Sequence, residues 1–529
     1  MTIRGHCGHR ALAVVTVVLL AVGLAACTDG GDGDDARRPN VLFILTDDMA
    51  VGDLAAMPRL QEWLGDGGTT FSRAYVSVSL CCPARTTMLR GQYAHNTGVQ
   101  SNEGVNGGFP VAHALGVESS TVATWLDEAG YRTALLGKYL NHYPRGVGTT
   151  YVPPGWDTWA SPVDGSTAAG FDYTLNENGR LVRYGDRRED YAATVLVDQA
   201  VAVAAEAETA GEPFFTWLSF DAPHEPPTPA PEDEGAFADA TAPRGASFDV
   251  VDPSMPEWVA GLPPLTEEQL AEIDGRHRDR LASLRSLDRE LARLADELEA
   301  SDQLDDTYVV FLSDNGFHLG QHRLKAGKQT AFEEDIRVPF LLAGPGVPAG
   351  QESDALVGDV DLAPTIAALA GATAPDFVDG RDLSALWQGD ADGSGRGALL
   401  LEHWPPLLPG QPAPDGSGSP PPPGDDIDFA PLVGGDATAE GENPAAGTGR
   451  QGESPTPPEY AGVRTDRYTY VRYVTGEVEL YDNEADPDQL RNVAATASPE
   501  LLDRLDRLTR SLAACVGAAC REAEEADVP

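Results

Sequence analysis

Basic residues are scarce in this chain. Lys and Arg number 37 against 83 Asp and Glu over 529 residues, a formal net charge of 37 − 83 = −46 at pH 7. Binding a phosphate backbone needs a basic face, so this balance argues against nucleic acid as a partner. It argues equally against docking on an anionic bilayer by charge, and reads first as a solubility adaptation. An anionic substrate would need a locally positive site against this background, which gives weight to any Lys, Arg or His near one. Cysteine is scarce as well: 6 in all, too few for a disulfide framework in a chain this large. Long apolar runs are missing too. Ala11 to Leu24, about 14 residues, is too short to span a bilayer comfortably, and no other run reaches spanning length. There is no internal repeat.

What the short apolar run does provide is a targeting signal. Arg4 and Arg10 form a basic n-region ahead of it, and it ends in Leu24-Ala25-Ala26-Cys27, which resembles a bacterial lipobox. Residues 1–27 therefore read as a lipoprotein signal peptide whose Cys27 becomes the lipidated first residue; a cleaved secretory signal with an incidental Cys is the alternative. Residues 28–38, rich in Gly and Asp, read as a flexible tether. The expected location is the outer face of a bacterial cell membrane, anchored by that lipid, or the medium. Cys7 is lost with the signal, which leaves Cys81, Cys82, Cys515 and Cys520. The last two, five apart, could pair in an oxidising compartment.

Val41-Leu42-Phe43-Ile44-Leu45 is a short continuous apolar run, the pattern of a strand buried on both faces of a mostly parallel sheet. Similar runs recur at Ala134 to Gly137, Phe214 to Phe220, Tyr308 to Leu312 and Phe340 to Ala343. Helical patterns lie between them, clearest at Glu267 to Ala300, where Leu281, Leu284, Leu287, Leu291, Leu294 and Leu298 repeat at 3–4 spacing. The alternation predicts an α/β fold over 39–400, a large mixed, mostly parallel sheet sandwiched by helices. Pro and Gly crowd 405–458, which reads as a poorly ordered insertion. Residues 459–529 predict a smaller C-terminal α+β subdomain, with strands in Tyr460 to Tyr473 and Glu477 to Tyr481 and a helix over Leu501 to Leu512.

In such sheets function collects at the carboxyl ends of strands. Asp47 and Asp48 end the first run, and Asp314 and Asn315 end the run at Tyr308 to Leu312. Three carboxylates and an amide oxygen make a hard-cation site, Ca²⁺ or Mg²⁺, whereas a capping or turn role is the plainer reading of each pair alone. Lys138 follows another run, His224 another, and Lys328 lies 14 residues after Asp314. The segment Ser79-Leu80-Cys81-Cys82-Pro83-Ala84-Arg85 is the most informative. Pro83 suits the first turn of a helix, which puts Cys81 just ahead of a helix N-terminus that favours an anion.

That segment resembles the sulfatase motif Cys-x-Pro-x-Arg. Counted from Cys81, Pro83 and Arg85 fall in register; counted from Cys82 they do not. The resemblance extends from Pro39 to about Asn492 and implies an alkaline-phosphatase-like fold. It implies that a dedicated formylglycine-generating enzyme oxidises Cys81 to an aldehyde whose hydrate attacks sulfur. It further implies that Asp47, Asp48, Asp314, Asn315 and the residue-81 oxygen hold Ca²⁺ (Mg²⁺ less so), that Arg85 holds the diol oxygens or the transferred group, that Lys138 and Lys328 bind sulfate oxygens, and that His224 binds or protonates the leaving oxygen. Lys325 competes with Lys328, whose distance to Val338-Pro339 fits better. One departure is Leu140, where many relatives carry a His as base; Asn141 or His142 could stand in, and His318 and His322 either line the pocket or stabilise its loop. Gly137-Lys138-Tyr139-Leu140-Asn141, Pro153-Pro154-Gly155-Trp156 and Phe171 to Asn176 look most like the N-acetylglucosamine-6-sulfatases and extracellular endosulfatases. This implies a sulfated carbohydrate substrate, with Trp156, Trp159 and Tyr173 either a sugar-stacking wall or core aromatics. A phosphate or phosphonate monoester hydrolase of the same superfamily and a catalytically silent carbohydrate-binding lipoprotein are the alternatives.

Overall fold

The computed structural model describes residues 38–163, 166–390, 395–408, 455–526 and 528–529. The expected signal peptide and tether up to residue 37, and most of the expected insertion, lie outside these. The apolar runs become strands. In chain order these are β1 (Asn40–Thr46), β2 (Thr69–Phe71), β3 (Ala74–Tyr75), β4 (Arg132–Gly137), β5 (Thr158–Pro162), β6 (Thr174–Glu177), β7 (Arg180–Arg183), β8 (Phe214–Ser219), β9 (Thr307–Ser313), β10 (Phe340–Ala343), β11 (Gln351–Ser353), β12 (Val357–Gly358), β13 (Ala398–His403), β14 (Tyr460–Thr465), β15 (Tyr468–Tyr473) and β16 (Val478–Asp482).

Ten of them form one mixed sheet in the order β11-β2-β10-β9-β1-β8-β4-β5-β6-β7. Its centre, β9-β1-β8-β4-β5, is parallel throughout. β10 runs antiparallel beside β9, and β6 and β7 close the other side antiparallel. Successive side chains of a strand point to opposite faces, and both faces of β1 are covered. Val41, Phe43 and Leu45 join a core with Trp217, Val310, Leu312 and the helix α1 (Cys81–Arg90). Leu42 and Ile44 join a second core with Leu218, Phe311 and the helices α2 (Ala192–Ala210) and α3 (Glu267–Ala300). Burial on both faces is why these strands read as unbroken apolar runs.

A separate antiparallel sheet, β13-β14-β15-β16, follows, backed by α4 (Pro499–Leu512) and α5 (Ala518–Glu525), whose Leu505, Leu508, Leu512 and Cys520 share its core. β13, contributed from before the Pro-rich segment, pairs with β14 from after it. Cys515 and Cys520 are disulfide-bonded. Among the described residues no helix is long and apolar enough to cross a membrane.

Candidate active site

Four neighbouring strands deliver the candidate residues at one level. Thr46 on β1 stands opposite Ser313 on β9, and Ser219 on β8 stands opposite both Leu45 and Gly137. The chain therefore leaves the sheet at Asp47, Asp314, Phe220 and Lys138 across the width of four strands, roughly 15 Å at normal strand spacing. Asp47, Asp48, Asp314 and Asn315 are all buried. Asp48 sits at φ 66, a left-handed conformation that Asp and Asn tolerate better than other side chains. Its N–H donates to Asp314 Oδ1 at 3.2 Å and its Oδ1 accepts from Asn315 Nδ2 at 2.7 Å.

α1 begins at Cys81 itself, with Leu80 as N-cap, so Cys81 is the first helical residue where the sequence placed it just ahead of the helix. Pro83 is third, a position whose N–H would be unpaired in any case. The adjacent thiols meet opposite surroundings. Cys81 Sγ lies 2.8 Å from Lys328 Nζ and 3.4 Å from Asp47 Oδ1. Cys82 turns into the apolar core, its N–H donating to Asn102 Oδ1 at 2.7 Å. Burial and then the Asp47 charge push the Cys81 thiol well up; burial pushes Cys82 to about 12.

Arg85 lies one helical turn on, fully buried. Nε donates to Asp314 Oδ2 at 2.7 Å, Nη2 to Asp47 Oδ2 at 3.3 Å, and Nη1 to Ser219 Oγ at 2.7 Å and the Lys138 carbonyl at 3.1 Å. It thus ties four strand ends together from beneath, where the sequence expected it to reach back toward the diol oxygens or the transferred group. Ser219, which the sequence reading missed, is signalled only by its place as the last polar residue of an apolar strand. Lys138 Nζ is 2.5 Å from Asp47 Oδ2, and Lys328 Nζ is 2.6 Å from Asp48 Oδ1. Burial is the largest influence on Lys138 and opposes its charge, but Asp47, Cys81 and Asp221 together hold the ammonium well above its ordinary pKa. Burial likewise opposes ionisation of Asp47, and Lys138, His224, Arg85 and Lys328 together hold it well below the usual carboxylate range. His224 Nε2 lies 3.9 Å from Asp48 Oδ2. Its Nδ1 is 2.8 Å from the Glu225 carbonyl, which can only accept, so Nδ1 carries a proton.

The Asp47, Asp48, Asp314 and Cys81 ligand atoms all lie within 4.8 Å of one another. Asn315 Oδ1 is buried without a hydrogen-bond partner among the described residues. An unpaired oxygen beside three buried carboxylates is the donor set that a hard divalent cation satisfies.

The other candidates fall elsewhere. Leu140 packs in the core. Asn141 is buried, its carbonyl accepting from Phe109 N at 2.8 Å. His318 Nδ1 pairs with Asp335 at 2.9 Å, and that carboxylate also holds Thr330 N and Oγ1. His322 stacks on Phe332 with ring centroids 3.9 Å apart, and burial pushes it down to about 3. Both histidines therefore serve the loop that carries Lys328. Trp159 and Tyr173 are core aromatics, bonded to Tyr143 and the Asp190 carbonyl, and Trp156 stacks on Phe215. Trp159 and Tyr173 are therefore core and not a sugar-stacking wall, whereas Trp156 is half-buried.

The sulfatase family model matches residues 39–372. The chain is 32% identical over 531 residues to the N-acetylglucosamine-6-sulfatase of Homo sapiens, a match covering 97% of this chain and 91% of that protein. It is 36% identical over 379 residues to the extracellular sulfatase SULF-1 homolog of Drosophila melanogaster, covering 70% of this chain but only 32% of that relative's length. A solved structure described as being in complex with its substrate D-glucosamine-2-N,6-O-disulfate superposes with a TM-score of 0.68 at 22% identity, over 93% of this chain and 99% of the other. That last likeness is one of fold.

Proposed function

The chain belongs to the sulfatase family of sulfuric ester hydrolases, and from that premise we propose that it removes sulfate from a sulfated carbohydrate, N-acetylglucosamine 6-sulfate first among candidates. The observation that carries the reading is the convergence of Lys328 Nζ and Asp47 Oδ1 on Cys81 Sγ, 2.8 and 3.4 Å away, in a buried setting. In the proposal residue 81 is formylglycine, which as a hydrate supplies a twin-hydroxyl nucleophile. Asp47, Asp48, Asp314 and Asn315, with the residue-81 oxygen, would hold Ca²⁺, which supplies Lewis-acid polarisation of a sulfate oxygen.

The protein's own groups supply the rest. Asp47, Asp48 and Asp314 are balanced by Arg85, Lys138 and Lys328, three charges against three, so a bound dication would leave the site net positive by two. That offsets locally the −46 of the whole chain and suits an anionic ester. Lys138 and Lys328 bind the non-bridging sulfate oxygens. His224, beside Asp48, protonates the departing sugar oxygen. Arg85 holds Asp47 and Asp314 in place, and the α1 N-terminus adds its dipole toward the anion. Cys81 is wholly inaccessible in the folded chain, so a formylglycine-generating enzyme would act before the fold closes around it. Homologues include extracellular sulfatases; export with a lipid on Cys27, a catalytic domain over 39–400 and a C-terminal subdomain over 459–529 complete the proposal.

The test is mass spectrometry of the Cys81 peptide from native-host protein, together with turnover of a panel of monosaccharides sulfated at different positions and a matched aryl sulfate and aryl phosphate. Aldehyde at residue 81 and preference for the 6-sulfated amino sugar are expected. An intact thiol in fully active protein, or faster phosphate than sulfate turnover, would overturn the reading.

A further inference from the structure

α3 carries an arginine, Arg280, to the underside of the strand-end loops. It is fully buried. Its Nη2 donates to the Asp48 carbonyl at 2.5 Å and pairs with Asp53 Oδ2 at 2.7 Å, and its Nη1 donates to the Pro223 carbonyl at 3.3 Å. Its guanidinium covers the Phe317 ring, with Cζ 4.4 Å from the centroid. These contacts lie on three separate segments: Asp48 and Asp53 follow β1, Pro223 follows β8, and Phe317 follows β9. Each segment holds a candidate site residue at or beside the point of contact: Asp48 itself, His224 directly after Pro223, and Asn315 two residues before Phe317.

A buried arginine is a poor way to gain stability alone, since a packed apolar side chain does as well without the desolvation cost. What a guanidinium does is fix directions, because its planar fork aims several donors at once. Asp48 needs that. Its backbone is in the left-handed region at φ 66, its N–H is tied to Asp314 Oδ1 and its carbonyl to Arg280. The same fork reaches the carbonyl directly ahead of His224.

We propose that Arg280 and Asp53 form a positioning pair, binding the segments of Asp48, His224 and Asn315 into one geometry and so setting both the cation ligands and the leaving-group acid. The proposal rests on the sulfatase reading of the site. Arg280 acts through Asp48 and His224, so its loss should lower kcat and Ca²⁺ affinity more than it changes KM.

The experiment compares wild type, Arg280→Lys, Asp53→Asn and a control, Arg396→Lys, which weakens a buried ion pair with Asp361 and Glu524 elsewhere in the fold. Each is measured for thermal unfolding, for Ca²⁺ affinity by calorimetry, and for kcat and KM on an aryl sulfate below all unfolding midpoints. Arg280→Lys should bind Ca²⁺ and turn over about 10- to 100-fold less well, the usual range for groups that orient metal ligands, with KM within about threefold. Asp53→Asn should follow in the same direction and carries the test if Arg280→Lys does not fold. Arg396→Lys should lose thermal stability and keep kcat and Ca²⁺ affinity. Wild-type kcat and Ca²⁺ affinity in both pair variants, or deficits in the control matched to its stability loss, would overturn the pairing. If wild type cleaves no sulfate ester, the functional reading fails and the Ca²⁺ titration alone decides the positioning role. A wild type that neither turns over nor binds Ca²⁺ overturns both.

Discussion

Lysine occurs at only three positions in this chain, Lys138, Lys325 and Lys328, and two of the three ammonium groups meet the buried carboxylates beside Cys81. In the proposed function Lys328, held 2.8 Å from the Cys81 thiol, binds the anionic sulfate. Lys328→Met should lower kcat/KM on sulfate esters by about 10²–10³-fold, the usual effect of deleting one preorganised donor. Lys328→Arg should not restore it, because a planar fork cannot replace a compact point charge; steady-state kinetics checks both. Cys82→Ala should leave kcat near wild type, since that side chain faces the core. At this scale the strand-end residues were legible, each being a polar residue after an apolar run. Arg280 was not. It is one of many arginines on a charged helix, although it lies on a stripe at 3–4 spacing with His277, Leu284 and Leu287, all buried.

At the scale of elements, α1 ends at Gly91, at φ 67, with its N–H bonded to the Thr87 carbonyl. A Cβ there would come within 2.9 Å of Val378 Cγ1 and 3.0 Å of Pro364 Cδ. Gly91→Ala should therefore destabilise the fold by roughly 1–3 kcal/mol, read as a lower unfolding midpoint, while kcat at low temperature holds because Cys81 is at the other end of the helix. In the C-terminal sheet, Glu479 on β16 is buried and accepts from the Tyr473 and Tyr481 hydroxyls at 2.9 and 3.1 Å. Burial pushes it up to about 7 from 4.5. A raised folded pKa means that its contribution is fully present below about 4.5 and is lost as pH rises through about 7. Glu479→Gln should accordingly flatten the fall in unfolding midpoint between about pH 4.5 and pH 7, measured by thermal scans across buffers. The helix Glu267–Ala300 and the strand Phe340–Ala343 were readable to the residue from their periods. The short strands β2, β5 and β11 were not, because their residues lack the continuous apolar run of Phe340–Ala343 and their pairing is decided by distant partners.

At the scale of the whole folded unit, a buried ionic network joins the N-terminal half to the last helix. Glu524 on α5 accepts from Tyr93 Oη at 2.7 Å, Arg396 Nη1 at 2.7 Å and Arg381 Nη2 at 2.8 Å, and Arg396 also pairs with Asp361. Removing one partner strands the others away from water. Glu524→Ala should cost about 3–5 kcal/mol in denaturant unfolding, with kcat at low temperature unchanged.

The sequence by itself determined the α/β alternation, the paired carboxylates and the lysines after them, since all of these are local periods, spacings and strand ends, while the choice of Cys81 over Cys82 came from its register in the sulfatase motif. Only the tertiary structure decided which neighbours those residues have. Arg85 became a strut under the carboxylates, Trp159 and Tyr173 became core, and Arg280 came to bridge three loops. Such outcomes depend on strand order and on groups separated by up to hundreds of residues, and the energy of a buried charge is set by what surrounds it rather than by what precedes it in the chain.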